Sequence, residues 1–334
     1  MSVQPRSARP VGRHLLRSSA LASEIVRDEQ LRMMFSCCDP RLSEDVQVAL
    51  ILNILCGFGA SEVASAFLTG RAAIEKRISR GKAALAGSKR LFDLSDREFV
   101  PRLSAVHRAL YLLFNEGYHG ASAKSAVRVE LCGEAMRLTA LLTGYPPAAT
   151  PTTYALAALM CFDSARLPER VDAAGDLNVL IDQDRSRWDQ QLIAQGFELL
   201  ERSAAGAELS SYHVEAAIAA THASARTLDD TDWPAIVSLF DTLVNIAPSP
   251  VVELNRAIAI AECHGAERGL AALRAITDPE RLSEYPFYTA AMGELELRRG
   301  DRAAAAAHFR SALAVARNAA ERRHLEKRLQ HCAE

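Results

Sequence analysis

The sequence predicts an all-α protein: a helix-turn-helix module, a helical middle segment, and stacked helix pairs of tetratricopeptide type. Three observations predict it. Apolar residues recur at helical spacing along nearly the whole chain, and alanine and leucine, both strong helix formers, dominate those stretches. Glycine and proline fall mainly between them. Towards the C-terminus small and aromatic residues return at repeat spacing: Gly265 and Gly300 are 35 positions apart, and Phe240 and Phe309 are 69 apart.

Composition sets the outer limits. The chain has 334 residues, 49% hydrophobic and 24% charged, the profile of an ordinary globular protein. At roughly 100–200 residues per domain this length gives two or three domains. A net charge of −2 excludes a chain that is basic throughout, so a nucleic-acid site has to be a local patch. No apolar run reaches the roughly 18 residues that cross a membrane. The seven cysteines include no CxxC pair, which points to reduced thiols in a cytoplasmic protein rather than to zinc or a disulfide framework.

Residues 1–28 read as a disordered tail or linker. The serines and Arg6, Arg9, Arg13 and Arg17 also suit a transit peptide, and the tail reading is preferred. Residues 29–90 read as a compact run of short helices. Asp45 to Leu55 has an apolar face, Gly57-Phe58-Gly59 breaks it, Ser61 to Leu68 forms a short helix, and Thr69-Gly70 turns into a longer helix from Arg71 to Ala86. That is the helix-turn-helix order. At about 100° per residue, Ile74, Ile78, Gly81 and Leu85 make one buried stripe on the second helix. From Leu68 to Arg90 there are seven Lys/Arg and one acid, +6 in a chain of net −2. A recognition helix in the major groove reads bases with outward side chains, while flanking cations hold phosphates. Lys76, Ser79 and Arg80 are the base-edge candidates, with Glu75 able to accept from cytosine. Arg71, Arg77, Lys82, Lys89 and Arg90 are the phosphate candidates. A solvated basic face is the other reading of the same pattern.

Residues 91–205 form a helical middle domain with one irregular stretch, Arg166 to Trp188. Gly175-Asp176 is a turn signal there, between Arg170-Val171 and Leu177 to Ile181, and predicts a small hairpin or extended loop. Asn115, Glu116, Gly117 and Tyr118 end an apolar helix, with Gly117 as its C-cap. Asp172, Asp176, Asp182 and Asp184 make an acidic cluster without calcium-loop spacing, so no metal is expected. Asp184 is expected to pair with Arg185 or Arg187 beside a buried Trp188. The histidines, among them His107, His119, His213, His222 and His264, lack metal spacing and read as surface or satisfied core residues. Residues 206–334 read as tetratricopeptide-like repeats: Gly300 to Ala304, Phe309 and Ala312-Leu313 fit half a unit. There is no GxGxxG, GKS/T, HExxH or GxSxG, so neither an enzyme nor a cofactor is expected.

Several longer runs resemble one group of extracytoplasmic-function bacterial sigma factors. Asp28 to Pro40 and Val46 to Leu50 are similar to the start of its region four, and Glu62 to Leu68 to its first reading helix. Leu110 to Tyr118 and Asp182 to Asp189 resemble signatures of its long helical extension. Trp233, Ala247 to Val252, Leu254 to Ala257 and Glu321 to Leu329 resemble its repeats and its end. The resemblance spans about residues 28 to 330. It implies recognition of the −35 promoter element and recruitment of core RNA polymerase, so that the factor directs initiation without catalysing it. It implies no membrane role and leaves a protein partner for the repeats. The region-two domain that precedes region four in such factors is not in this sequence. Gly59-Ala60 stands where a Thr-rich cap is usual, Gly70-Arg71 where Pro-Glu is usual, and Asp39 where His is usual. The alternative functions are a helical repeat scaffold, or a small-molecule-sensing regulator whose DNA-binding module is vestigial.

Overall fold

A computed structural model describes residues 28–86, 99–120, 127–172 and 176–333. The fold is all-α, with sixteen α-helices and no named strand among the described residues. The expected hairpin in the irregular stretch is reduced to one antiparallel bridge, Val171 to Leu177. None of the helices is long and apolar enough to cross a membrane.

The first four helices are α1 (Glu29–Cys37), α2 (Glu44–Ile54), α3 (Ala60–Ala66) and α4 (Arg71–Ala86). Asp28 starts α1 by accepting from the Leu31 amide at 2.8 Å. Gly59 precedes α3 and has no side chain to cap it. Only the reverse half of a capping box forms, with the Gly59 amide donating to Glu62 Oε2 at 2.8 Å. The turn into α4 is tight. The Thr69 amide donates to the Ala64 carbonyl at 3.0 Å and that of Leu68 to Ser65 at 3.2 Å. This is a Schellman ending, with Leu68 at φ 47° where glycine is usual. A left-handed conformation costs an L-residue about 1–2 kcal/mol.

Helix α2 is the centre of this module. Every residue from Val46 to Leu52 is buried, because α4 covers one side and α5 (Leu103–His119) the other. One hydrophobic core therefore runs from Leu31 in α1 through Leu50, Ile74, Leu110 and Phe114 to Leu142 in α6 (Val129–Gly144). The core does not break where residues 29–90 meet 91–205. The middle segment continues with α7 (Pro151–Ala165), the short α8 (Leu167–Arg170) and α9 (Gln190–Ser203), packed around Phe162 and Trp188.

From α10 (Ser211–Ser224) onward each helix packs on the next: α11 (Trp233–Ile246), α12 (Pro250–His264), α13 (Ala266–Arg274), α14 (Pro286–Arg299), α15 (Arg302–Ala314) and α16 (Ala319–His331). The repeat is visible residue by residue. Pro250 and Pro286 open α12 and α14 in the first turn, where a missing N–H costs nothing. Gly265 and Gly300 end them at φ 92° and 91°. Gly293 lies under the Phe309 ring, where an added Cβ would sit 3.0 Å from it. Ala257 and Leu273, each 36 positions earlier, are buried at 1% and 0%. The stack returns to the middle segment at its end. Arg323 and Lys327 of α16 both bind Asp176, at 2.5 Å.

Candidate functional site

Two places concentrate polar chemistry: the outer face of α4 and the interior of the middle segment. On α4 the buried residues are Ile74, Ile78, Gly81 and Leu85, the stripe expected from the sequence. Gly81 is there because α2 is close. A Cβ at this position would lie 2.6 Å from Leu50 Cδ1. That contact turns Arg71, Glu75, Lys76, Ser79, Arg80 and Lys82 to solvent. The C-terminal helices do not cover them.

The charges on this face are not equivalent. Arg71 pairs with Glu75 one turn on, at 2.7 Å, so each offsets the other. Arg77 is half-buried, 3.5 Å from Asp45, with its guanidinium over the Phe67 ring. Arg108 of α5 lies over the same ring and binds Asp45 at 2.7 Å. Arg77 thus braces α4 against α2, a structural role that the sequence did not separate from its assignment as a phosphate contact. Lys76, Arg80 and Lys82 have no ion pair or hydrogen bond among the described residues. Lys89 and Arg90 lie outside the described residues.

The Asn115-Glu116-Gly117-Tyr118 run lies in the last turn of its helix, as expected, but Gly117 does not cap it. Helix α5 continues to His119 and is followed by Gly120, so Gly117 is not a C-cap. Gly117 instead packs directly against the start of α6. A Cβ there would fall 2.8 Å from the Cys132 backbone nitrogen and 2.9 Å from the Arg128 carbonyl. Glu116 is buried 3.9 Å from Arg128. Arg128 also reaches Glu62 of α3 at 3.5 Å and lies over Phe58, so it ties α3 to α5 and α6. Asn115 hydrogen-bonds Tyr111, whose hydroxyl donates to Glu215 at 2.7 Å. Burial pushes the Glu215 carboxyl up to about 7, and Asp163 nearby adds to the rise.

Beyond Tyr118 lies a group of arginines. Arg170 lies over the Tyr118 ring at 4.6 Å and donates to the Tyr118 carbonyl and to His119 Nδ1. Arg166 and Arg185 lie 5.3 and 5.2 Å from the Trp188 ring centre. Arg185, 7% exposed, donates to the carbonyls of His222 and Ala225 and to Thr231 Oγ1. Arg166 donates to Gln183 at 3.3 Å. All these acceptors are neutral. Burial, with Arg166 and Arg185 adjacent, holds His222 down to about 3. Burial also raises the Asp163 carboxyl, against the pull of Arg166 and Arg170.

The four aspartates of the irregular stretch do not share one site: among the described residues only Asp172 and Asp176 meet, with Asp172 Oδ1 accepting from the Asp176 amide at 2.8 Å. Asp176 is taken by Arg323 and Lys327, while Asp184 accepts from the Ser186 amide and hydroxyl. Asp182 is exposed. No group that could hold a metal ion forms among the described residues. The expected Asp184 ion pair is also corrected. Arg187 binds Glu169 at 2.9 Å, because the 3-10 turn Arg185–Arg187 points it back to α8. Trp188 is buried as expected, at 3%.

Residues 102–204 match a family of unknown function (DUF6596). An uncharacterized protein of Rhizobium meliloti (strain 1021) is 37% identical over 322 residues, which is 95% of this chain and 75% of that protein. The chain belongs to that protein's family. The DUF6596 match runs from the start of α5 to the end of α9, so it takes in Tyr118, Arg166, Arg170, Arg185 and Trp188 and stops short of α4.

Sequence reasoning singled out Arg185 and Trp188 but missed Asp163, Arg166, Arg170 and Arg128. A signal was present: Arg166 and Arg170 are four apart, directly after the apolar run Pro151–Ala165. Chemically, the α4 face can offer hydrogen bonds and positive charge to a polyanion. The interior cluster offers guanidinium groups that lack a paired carboxylate.

Proposed function

We propose that this chain is a transcription factor of the sigma type. Helix α4 reads the −35 promoter element, and the chain recruits core RNA polymerase from the cytoplasm. The observation that carries the reading is the seating of α4. Its Ile74/Ile78/Gly81/Leu85 edge is buried against α2, while Lys76, Ser79, Arg80 and Lys82 face solvent. Side chains in that position on the second helix of such a module meet base edges and phosphates. Helices α5 and α6 hold the module through its shared core and through Arg108 and Arg128, and α10–α16 offer a repeat surface to a protein partner.

The test starts from a random duplex library. DNA is selected with the full chain and core polymerase, and binding to a selected duplex is compared with a scrambled one. Each base-edge contact is worth about 1–3 kcal/mol, so Lys76→Ala with Arg80→Ala should weaken the selected duplex by roughly 30-fold or more. The scrambled duplex should lose far less. With three unpaired outward cations, affinity should fall with salt at a log–log slope of about −3, at ~0.9 per phosphate. Equal loss on both duplexes makes these residues phosphate contacts only. No enrichment from the library removes the DNA reading altogether.

A further inference from the structure

Guanidinium groups withdrawn from water need compensation, either from a counter-ion or from a full set of hydrogen bonds. Arg166, Arg170 and Arg185 form no ion pair within 4.0 Å of a carboxylate among the described residues. The nearest acid that acts on two of them is Asp163, which faces Arg166 and Arg170. Asp230 acts on Arg185 only at longer range. Glu169 is already bound to Arg187, and Glu321 to Arg317. Arg185 meets the second condition through its three hydrogen bonds, whereas Arg166 and Arg170 face one opposing carboxylate among the described residues, an excess of one.

The hydrogen-bond inventory points the same way. The Tyr118 hydroxyl, Arg170 Nε, Trp188 Nε1 and His222 Nδ1 are buried and have no hydrogen-bond partner among the described residues. The first three are donors. Each belongs to a residue stacked on, or part of, the arginine group. A core arranged for packing alone does not gather unsatisfied donors around uncompensated cations. Arg166 and Arg170 are only half-buried, so the cluster borders solvent. A groove of about 350 Å³ lined by Thr221, Ser224 and Ala225 is edged by Asp230 and Asp232 and suits an anion poorly.

We propose that the DUF6596 segment holds a small dianion of the phosphate class, bound by Arg166 and Arg170 with hydrogen bonds from Tyr118 and Trp188, while Arg185, held by its own hydrogen bonds, adds positive charge from the other contact of the Trp188 ring. Bidentate guanidinium–phosphate contacts are the natural use of such forks. Either inorganic phosphate or a phosphomonoester supplies the chemistry. The site stands apart from the DNA reading, and its test contains no DNA.

The chain has two tryptophans, so in Trp233→Phe the reporter is Trp188, which lies between Arg166 and Arg185. Its emission is followed while phosphate, glycerol phosphate or succinate replaces chloride at constant ionic strength. The expected result is a saturable change with phosphate or the phosphomonoester, and the tighter of the two names the source. Arg166→Gln should move the midpoint at least about tenfold, the worth of one lost charged hydrogen bond, and Arg166→Lys should recover part of it. A flat response of Trp188 to all three anions overturns the site, whatever the variants do. So does an unchanged midpoint in a folded Arg166→Gln. A preference for succinate replaces the phosphate class by a dicarboxylate and overturns the assignment as stated.

Discussion

Replacing Gly81 by alanine should loosen α4, whereas the same exchange at Gly133 should tighten α6. Both are helix-interior glycines, and alanine is the better helix former by about 1 kcal/mol at either place. Their surroundings differ. Gly133 has nothing within 4 Å of an added Cβ, so the full gain is realised. At Gly81 the methyl group would meet Leu50 Cδ1, Cγ and Cδ2 at 2.6, 2.7 and 2.8 Å. Leu50 is fully buried and cannot move aside. Overpacking of this kind costs about 1–3 kcal/mol. The net at Gly81 is then about 0–2 kcal/mol of destabilisation, and the two variants should differ by roughly 1–3 kcal/mol. Leu50→Ala alone should cost about 2–5 kcal/mol. Combined with Gly81→Ala it should cost less than the two added together, because the new methyl group fills part of the space. The chain has several cores, so global unfolding is a poor readout. Native-state hydrogen exchange of peptides in α2 and α4 reads the local change. If Gly81→Ala slows exchange in α4 as much as Gly133→Ala does in α6, α4 is not seated on α2. The assignment of its outward face then fails with it.

Four further outcomes follow from the same geometry. Lys82→Gln should flatten the salt dependence of DNA binding by about one phosphate contact. Arg77→Gln should leave that slope unchanged and instead speed exchange in α4, because Arg77 is held by Asp45 and Phe67. The pH dependence of stability should carry a component from Glu215, whose carboxyl is raised from 4.5 to about 7 by burial. Between those values the folded form keeps a proton that the unfolded chain has lost, so this component falls as pH rises and is fully lost above about 7. Denaturation across that range should show a flatter pH profile in Glu215→Gln, and an identical profile would remove Glu215 as the source. Phe309→Ala should destabilise the terminal repeats by about 3–5 kcal/mol. Exchange should rise in α14–α16 and stay unchanged in α1–α4, because Phe309 lies in a separate core.

The residues of α4 that face inward were legible in the sequence. An α-helix repeats every 3.6 residues, and Ile74, Ile78, Gly81 and Leu85 can share only one face of it. The helix order of the module and the glycine spacing of the repeats were readable for the same reason: they are local, and the backbone enforces them. The tertiary structure alone decided the partner of each charge. Arg77 looked like its neighbours in sequence until Asp45 and Phe67 arrived from α2 and α3. Gly117 looked like a C-cap until α6 came within van der Waals contact of it. The convergence of Arg166, Arg170 and Arg185 on Tyr118 and Trp188 brings together residues up to 70 positions apart, and only packing sets that arrangement. Coulomb and hydrogen-bond energies depend on separations of a few ångströms, and spacing along a chain does not encode them.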